Sequence, residues 1–206
     1  IWSQKGARLI MTATTPTGFR LLELEGQGVG KPEILLEGSG FAWPRDRARK
    51  GAEFLMDRWG GEDRNMDILA LRPGDPKGQR PYRATKANEG SPRFSPDGTR
   101  VAFFSDETGR EEVYVAGYPD PGTPHLVSAA GGHHPVWARD GKALYYLSPS
   151  DELMKVAVRT GGGRLDFEVP IRLFRVRTIP YNAHPFDVHP DGRRFLFTLA
   201  HDAGTG

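Results

Sequence analysis

Apolar residues in this chain fall in short runs separated by polar turns, and the runs recur in one order. Phe94-Ser95-Pro96-Asp97-Gly98-Thr99-Arg100 leads into Val101-Ala102-Phe103-Phe104, then a polar loop to Glu111, then Val113-Tyr114-Val115 and, after another turn, Leu126-Val127. The order returns as Trp137-Ala138-Arg139-Asp140-Gly141-Lys142, followed by Ala143 to Leu147, Leu153 to Val158 and Ile171 to Phe174. It starts once more at Val188-His189-Pro190-Asp191-Gly192-Arg193, before Arg194-Phe195-Leu196-Phe197. Two looser copies lie upstream. One is Trp2 to Arg8 before Leu9-Ile10-Met11, with Gln4-Lys5-Gly6 where the others have Pro-Asp-Gly or Arg-Asp-Gly. The other begins at Trp43-Pro44-Arg45-Asp46, with an enlarged, charged turn before Ala52-Glu53-Phe54-Leu55-Met56.

Anchored on Trp2, Trp43, Phe94, Trp137 and Val188, the copies are 41, 51, 43 and 51 residues apart. A period of this size with four short strands per unit is the signature of β-propeller blades. The turn chemistry agrees: Pro presets φ, Asp bonds the backbone ahead of it, and Gly reaches positive φ without a Cβ clash. The run after each turn is apolar at consecutive positions, which predicts a strand buried on both faces between neighbouring blades. The expected fold is all-β, a propeller portion of four-stranded antiparallel blades covering about 1–42, 43–91, 92–134 and 135–185, with a partial fifth at 186–206. Four blades and half of another predict an incomplete ring, a piece of a larger protein.

Composition narrows the picture further. Glycine (26) and proline (17) make up about a fifth of the 206 residues, which interrupts any long helix. No apolar run is long enough to span a membrane as a helix. Cysteine is absent, which excludes disulfides, thiolate metal sites and cysteine nucleophiles. A net charge of +2 without a concentrated basic stripe argues against nucleic acid as a partner.

The Ser95-to-Phe103 segment resembles the Pro-Asp-Gly repeat of TolB-type propellers. The stretch from Asn88 through Pro92-Arg93-Phe94 to Gly98, then Glu111 to Val115, Gly131-Gly132 and Pro135 to Gly141, is similar to propellers that follow the kinase domain of certain bacterial membrane serine/threonine kinases. Asp187 to Leu196 fits the same group. The resemblance implies about six blades in a full ring. It also implies an extracytoplasmic location and a sensory or scaffolding role with a protein or peptide partner. Two alternatives stay open: the gating propeller of a prolyl-oligopeptidase-like hydrolase, and a free periplasmic TolB-like protein.

The search for chemistry finds no kinase motif and no Gly-x-Ser-x-Gly nucleophile elbow, so this chain is read as non-catalytic and without a cofactor. Gly26 to Lys31 lacks the spacing of a phosphate loop and reads as a turn. Asp97, Asp140 and Asp191 are explained by their turns. The candidate surface is the channel mouth before each innermost strand: Glu89, Ser91, His133, His134 and His184. Alignment on Phe94, Trp137 and Val188 puts Gly90, His133 and His184 at one position. Two imidazoles aimed at a shared axis, with Glu89 or Asp187 nearby, are also the candidate metal ligands His133 and His184. A polar, wet rim is the plainer reading, because a metal needs three or more converging donors.

Overall fold

A computed structural model of the chain describes residues 1–2, 8–27, 30–49, 53–60, 65–75, 78–161, 164–176 and 185–199. Residues 3–7, 50–52 and 200–206, and the expected mouth residue His184, lie outside the described residues. The described residues form eighteen strands and no helix.

Five antiparallel sheets follow one another along the chain. The first contains β1 (Arg8–Thr15), β2 (Gly18–Glu25) and β3 (Glu33–Gly38), with Trp2 bridged to Leu9 on its inner side. The second is β4 (Phe41–Arg47), β5 (Phe54–Trp59), β6 (Met66–Leu71) and β7 (Gln79–Arg83). The third is β8 (Glu89–Phe94), β9 (Arg100–Ser105), β10 (Glu112–Gly117) and β11 (His125–Leu126). The fourth is β12 (His133–Trp137), β13 (Ala143–Leu147) and β14 (Glu152–Gly161), with β15 (Arg164–Phe167) and β16 (Ile171–Arg175) both pairing with β14. The hairpin β17 (Phe186–Val188) and β18 (Phe195–Phe197) begins a fifth. The innermost strands β4, β8, β12 and β17 pack in sequence. This is the all-β propeller architecture that the repeat predicts.

One interval sets the register of every sheet. The last residue of the inner strand faces a partner seven positions later: Trp2 with Leu9, Arg47 with Phe54, Phe94 with Val101, Trp137 with Leu144 and Val188 with Phe195. The second anchor is therefore Arg47 and not Trp43. The interval that follows it is no longer than in the other copies. The Ala48 amide donates to the Glu53 carbonyl at 3.0 Å, as Ser95 does to Arg100 at 2.9 Å and Ala138 to Ala143 at 2.8 Å.

The turns use their residues as the chemistry dictates. Asp97, Asp140 and Asp191 each accept a backbone N–H two residues on, at 3.1, 2.9 and 2.9 Å. Gly98, Gly141 and Gly192 sit at φ of 75°, 72° and 66°. A Cβ on Gly98 would meet nothing within 4 Å, so any cost there is purely conformational. Gly98→Val is expected to cost about 1–2 kcal/mol, read as a lower urea midpoint at unchanged slope. An unchanged midpoint would refute this account of the turn.

The core lies between sheets. In β9, Val101 and Phe103 pack on the second sheet's Leu55 and Ile68, while Ala102 packs on the fourth sheet's Leu144 and Tyr146. In β13, Leu144 and Tyr146 face the third sheet, whereas Tyr145 and Leu147 pack with Phe186 of the fifth. Alternation of side chains along a strand, with both faces covered, explains why these runs are continuously apolar. Two of the aromatic anchors span the gap between blades: Phe94 packs with Leu55 and Ile68 of the second sheet, and Trp137 Nε1 donates to the Arg93 carbonyl at 3.2 Å.

Candidate binding site at the channel mouth

The inner strands reach the mouth through a repeated irregularity. Pairing with the second strand breaks between Pro44 and Asp46, between Gly90 and Arg93, and between His133 and Val136. Such bulges turn a strand and re-aim its side chains. Ser91 and His134, 43 residues apart in sequence, both have φ of 52°. Two non-glycine residues share this left-handed conformation because they fill the same bulge in successive blades.

The bulges are tied together by a polar chain crossing three blades. Arg45 is ion-paired with Asp57, which is fully buried. Asp57 accepts the Ser91 amide at 3.0 Å. Ser91 Oγ is hydrogen-bonded to His134 Nδ1 at 2.9 Å. Beside this chain, Arg93 donates to the Arg45 carbonyl at 3.2 Å, and Asp46 accepts the Phe94 amide at 2.8 Å. Burial pushes the Asp57 carboxyl above its ordinary range, and Arg45 pulls it back. Burial likewise raises Asp46, against the field of Arg93.

Of the expected mouth residues, Ser91, His133 and His134 are brought together. The two imidazoles meet edge to face with centroids 4.9 Å apart, and His133 Nδ1 makes no hydrogen bond. Glu89 is fully buried and engaged elsewhere: it accepts the Thr85 hydroxyl and, at 3.3 Å, the Thr85 amide, with Arg83 Nε 3.8 Å away. Burial raises its carboxyl, against the Thr85 hydrogen bonds. Glu89 thus anchors the approach to β8. His184 lies outside the described residues. Among the described residues, no three His, Asp or Glu side chains are grouped so as to hold a metal ion.

The Ser91–His134 distance is that of a nucleophile and its base. Ser91 is only 4% exposed, however, and the adjoining cavity of about 10 Å³ has room for a single water.

Burial pushes the His133 imidazole below its ordinary value, with Asp151 pulling the other way. The unfolded chain therefore takes up this proton more readily. Stability linked to His133 is complete above about pH 6.5 and declines as the pH falls below it. The unfolding midpoint is expected to fall more steeply on acidification in the wild type than in His133→Gln. Parallel pH profiles would exclude this linkage.

Register also reveals mouth residues that the sequence reading missed. Trp43 pairs with Asp57 as Gly90 pairs with Phe104, so Trp43 holds the position of Gly90, next to the bulge. It stacks on Phe41, with centroids 5.7 Å apart and planes 9° apart, and Phe41 stacks on Trp59 at 5.7 Å and 22°. Phe41 and Trp59 remain 38% and 44% exposed. Counting seven residues back from Phe54 would have found this arrangement.

Comparison with known proteins gives a fold without a family. No family model matches the chain. A threonine–tRNA ligase of Parafrankia is 29% identical over 107 residues, which is 46% of this chain and 16% of that protein. Among solved structures, TolB from Acinetobacter baumannii superposes with a TM-score of 0.70 at 12% identity, over 98% of this chain and 48% of that one. A puromycin-hydrolyzing peptidase of Mycobacterium tuberculosis superposes with a TM-score of 0.54 at 18% identity, over 82% of this chain and 32% of that one. The chain thus spans about half the length of the TolB that it resembles. At such identities the likeness establishes a TolB-like β-propeller fold alone.

Proposed function

We propose that this chain is a non-catalytic propeller module that binds a protein or peptide at the mouth formed by its bulged inner strands. The observation that supports this reading most is the half-exposed stack that Trp43, at the register level of His133, forms with Phe41 and Trp59. Aromatic side chains with a large apolar face and little entropy to lose are the usual anchors of protein interfaces. The polar chain from Arg45 to His134 ties the bulges of three blades together, and a mouth held in one shape pays less ordering cost on binding.

Within this reading the parent is a bacterial envelope-associated protein, and the module serves as its sensor or scaffold on the extracytoplasmic side. The kinase-type parent rests on the sequence likeness of residues 88–199 to propellers that follow membrane serine/threonine kinases. A second reading, a gating propeller for a hydrolase domain, is favoured by the superposition on the puromycin-hydrolyzing peptidase. The coding sequence around this chain separates them: a kinase domain and a membrane helix upstream, or a Gly-x-Ser-x-Gly domain downstream.

Capture from a bacterial envelope extract tests the binding surface. The wild type is expected to retain a partner that Trp59→Ser and His133→Ala lose by about tenfold or more, while Leu126→Ser, on the outer strand of the third sheet, retains it. Equal retention by all variants would remove the mouth from consideration.

A further inference from the structure

Four arginines gather where the inner strands of the first three sheets meet. Arg45, Arg47, Arg49 and Arg93 line one open cleft beside Asp46 and Trp2. Their charges are unequally matched. Arg45 is paired with the buried Asp57. Arg93 donates to the Arg45 carbonyl oxygen at 3.2 Å and lies in the field of Asp46. Asp46 is itself engaged by the amides of Arg47 and Phe94, each at 2.8 Å.

Arg47 is the odd member of the set. It stands at the register position that Trp2, Phe94 and Trp137 hold in neighbouring sheets, so a guanidinium replaces an aromatic ring between blades. Its Nε and Nη1 atoms are buried and make no hydrogen bond. Its ion-pair contact with Glu23 is long, 3.9 Å, and Glu23 is already hydrogen-bonded to Arg8 at 2.8 Å. Buried donors without an acceptor are rare, and a ligand meets them where the Arg47 side chain turns toward the cleft that this residue lines.

We propose that this cleft binds a carboxylate, and that it receives an acidic side chain or the C-terminal carboxylate of a peptide partner. The inference rests on the peptide-binding reading above and specifies the chemistry of the ligand. Arginine suits carboxylate and phosphate alike, through planar arrays of charge-assisted donors. The peptide-binding reading separates the two, because carboxylates are the anionic groups that an unmodified peptide carries.

The test titrates the chain with four probes while following its backbone amide NMR shifts. These are Gly-Glu-Gly and Gly-Gln-Gly, both acetylated and amidated, acetylated Gly-Gly-Gly with a free C terminus, and inorganic phosphate. At least one of the two carboxylate peptides binds and shifts the amides of residues 45–49 and 93, and which one binds identifies the source of the carboxylate. The glutamine peptide does not bind, and phosphate binds more weakly. Arg47→Gln lowers the carboxylate affinity about tenfold, the loss of one charge-assisted contact. Arg49→Gln, at an exposed position, lowers it in the same direction.

Equal binding of the glutamine peptide, phosphate binding at or above the carboxylate level, or unchanged affinity in both arginine variants would each overturn the proposal. Failure of these titrations while Trp59→Ser still abolishes capture sinks the carboxylate site alone. Carboxylate binding with no partner captured sinks the peptide-binding reading instead.

Discussion

Asp57→Asn is expected to destabilise the fold by about 3–5 kcal/mol, the cost of removing one partner from a buried ion pair. The substitution nearly conserves shape, so little packing is lost. What it removes is the charge that balances Arg45, itself only 7% exposed. It also weakens the acceptor that holds the Ser91 amide at 3.0 Å and with it the left-handed bulge. Removing both charges together, Arg45→Leu with Asp57→Leu, is expected to cost less than Asp57→Asn alone, because no unpaired charge then stays buried. Chemical unfolding of the three proteins decides this. A single variant as stable as the wild type would show that the pair does not hold the mouth together.

The second large effect is Phe103→Ala, at about 3–5 kcal/mol. Phe103 is fully buried in β9, stacks on Tyr114 with ring centroids 5.9 Å apart, and belongs to the cluster joining the second and third sheets. Truncation leaves a cavity between two rigid sheets that can close only by moving a whole blade. Phe103→Leu retains most of the volume and should cost clearly less. Domain stabilities are of the order of 5–15 kcal/mol, so the alanine variant consumes a large share of the total. Equal losses for Ala and Leu would argue that the site repacks freely and that the blades are not locked together there.

How much of this was legible in the sequence differs from copy to copy. Val101 to Phe104 and Ala143 to Leu147 announced strands covered on both faces, because neither run contains a polar position for water to occupy. The Pro-Asp-Gly turn at 96–98 was equally plain, since its residues act locally through φ and side-chain acceptors. The second blade was misread. Tryptophan is the residue expected at an anchor, so Trp43 drew the alignment four positions away from Arg47. Composition could not correct this, because the anchor position holds a guanidinium whose ion-pair contact is with Glu23 of the neighbouring sheet. Only the seven-residue interval to Phe54 reveals it.

The mouth was half legible for the same reason. Ser91, His133 and His134 followed from blades that were aligned correctly. Their supports did not. Asp57 lies in the second strand of another blade, and nothing in its sequence neighbourhood distinguishes it from an exposed carboxylate. Glu89 was read as a mouth residue from its place before Phe94. Its hydrogen bonds with Thr85 are loop contacts that depend on the chain's path and not on the repeat.

Site-specific photo-crosslinking tests the central claim most directly. A benzophenone side chain is placed at position 133 at the mouth and, separately, at position 171 on the outer edge of the fourth sheet, and each protein is irradiated in a bacterial envelope extract. The account predicts one dominant protein adduct from position 133, competed away by unlabelled wild-type chain, and none shared with position 171. An adduct formed only from position 171, or the same products from both positions, would contradict a binding mouth.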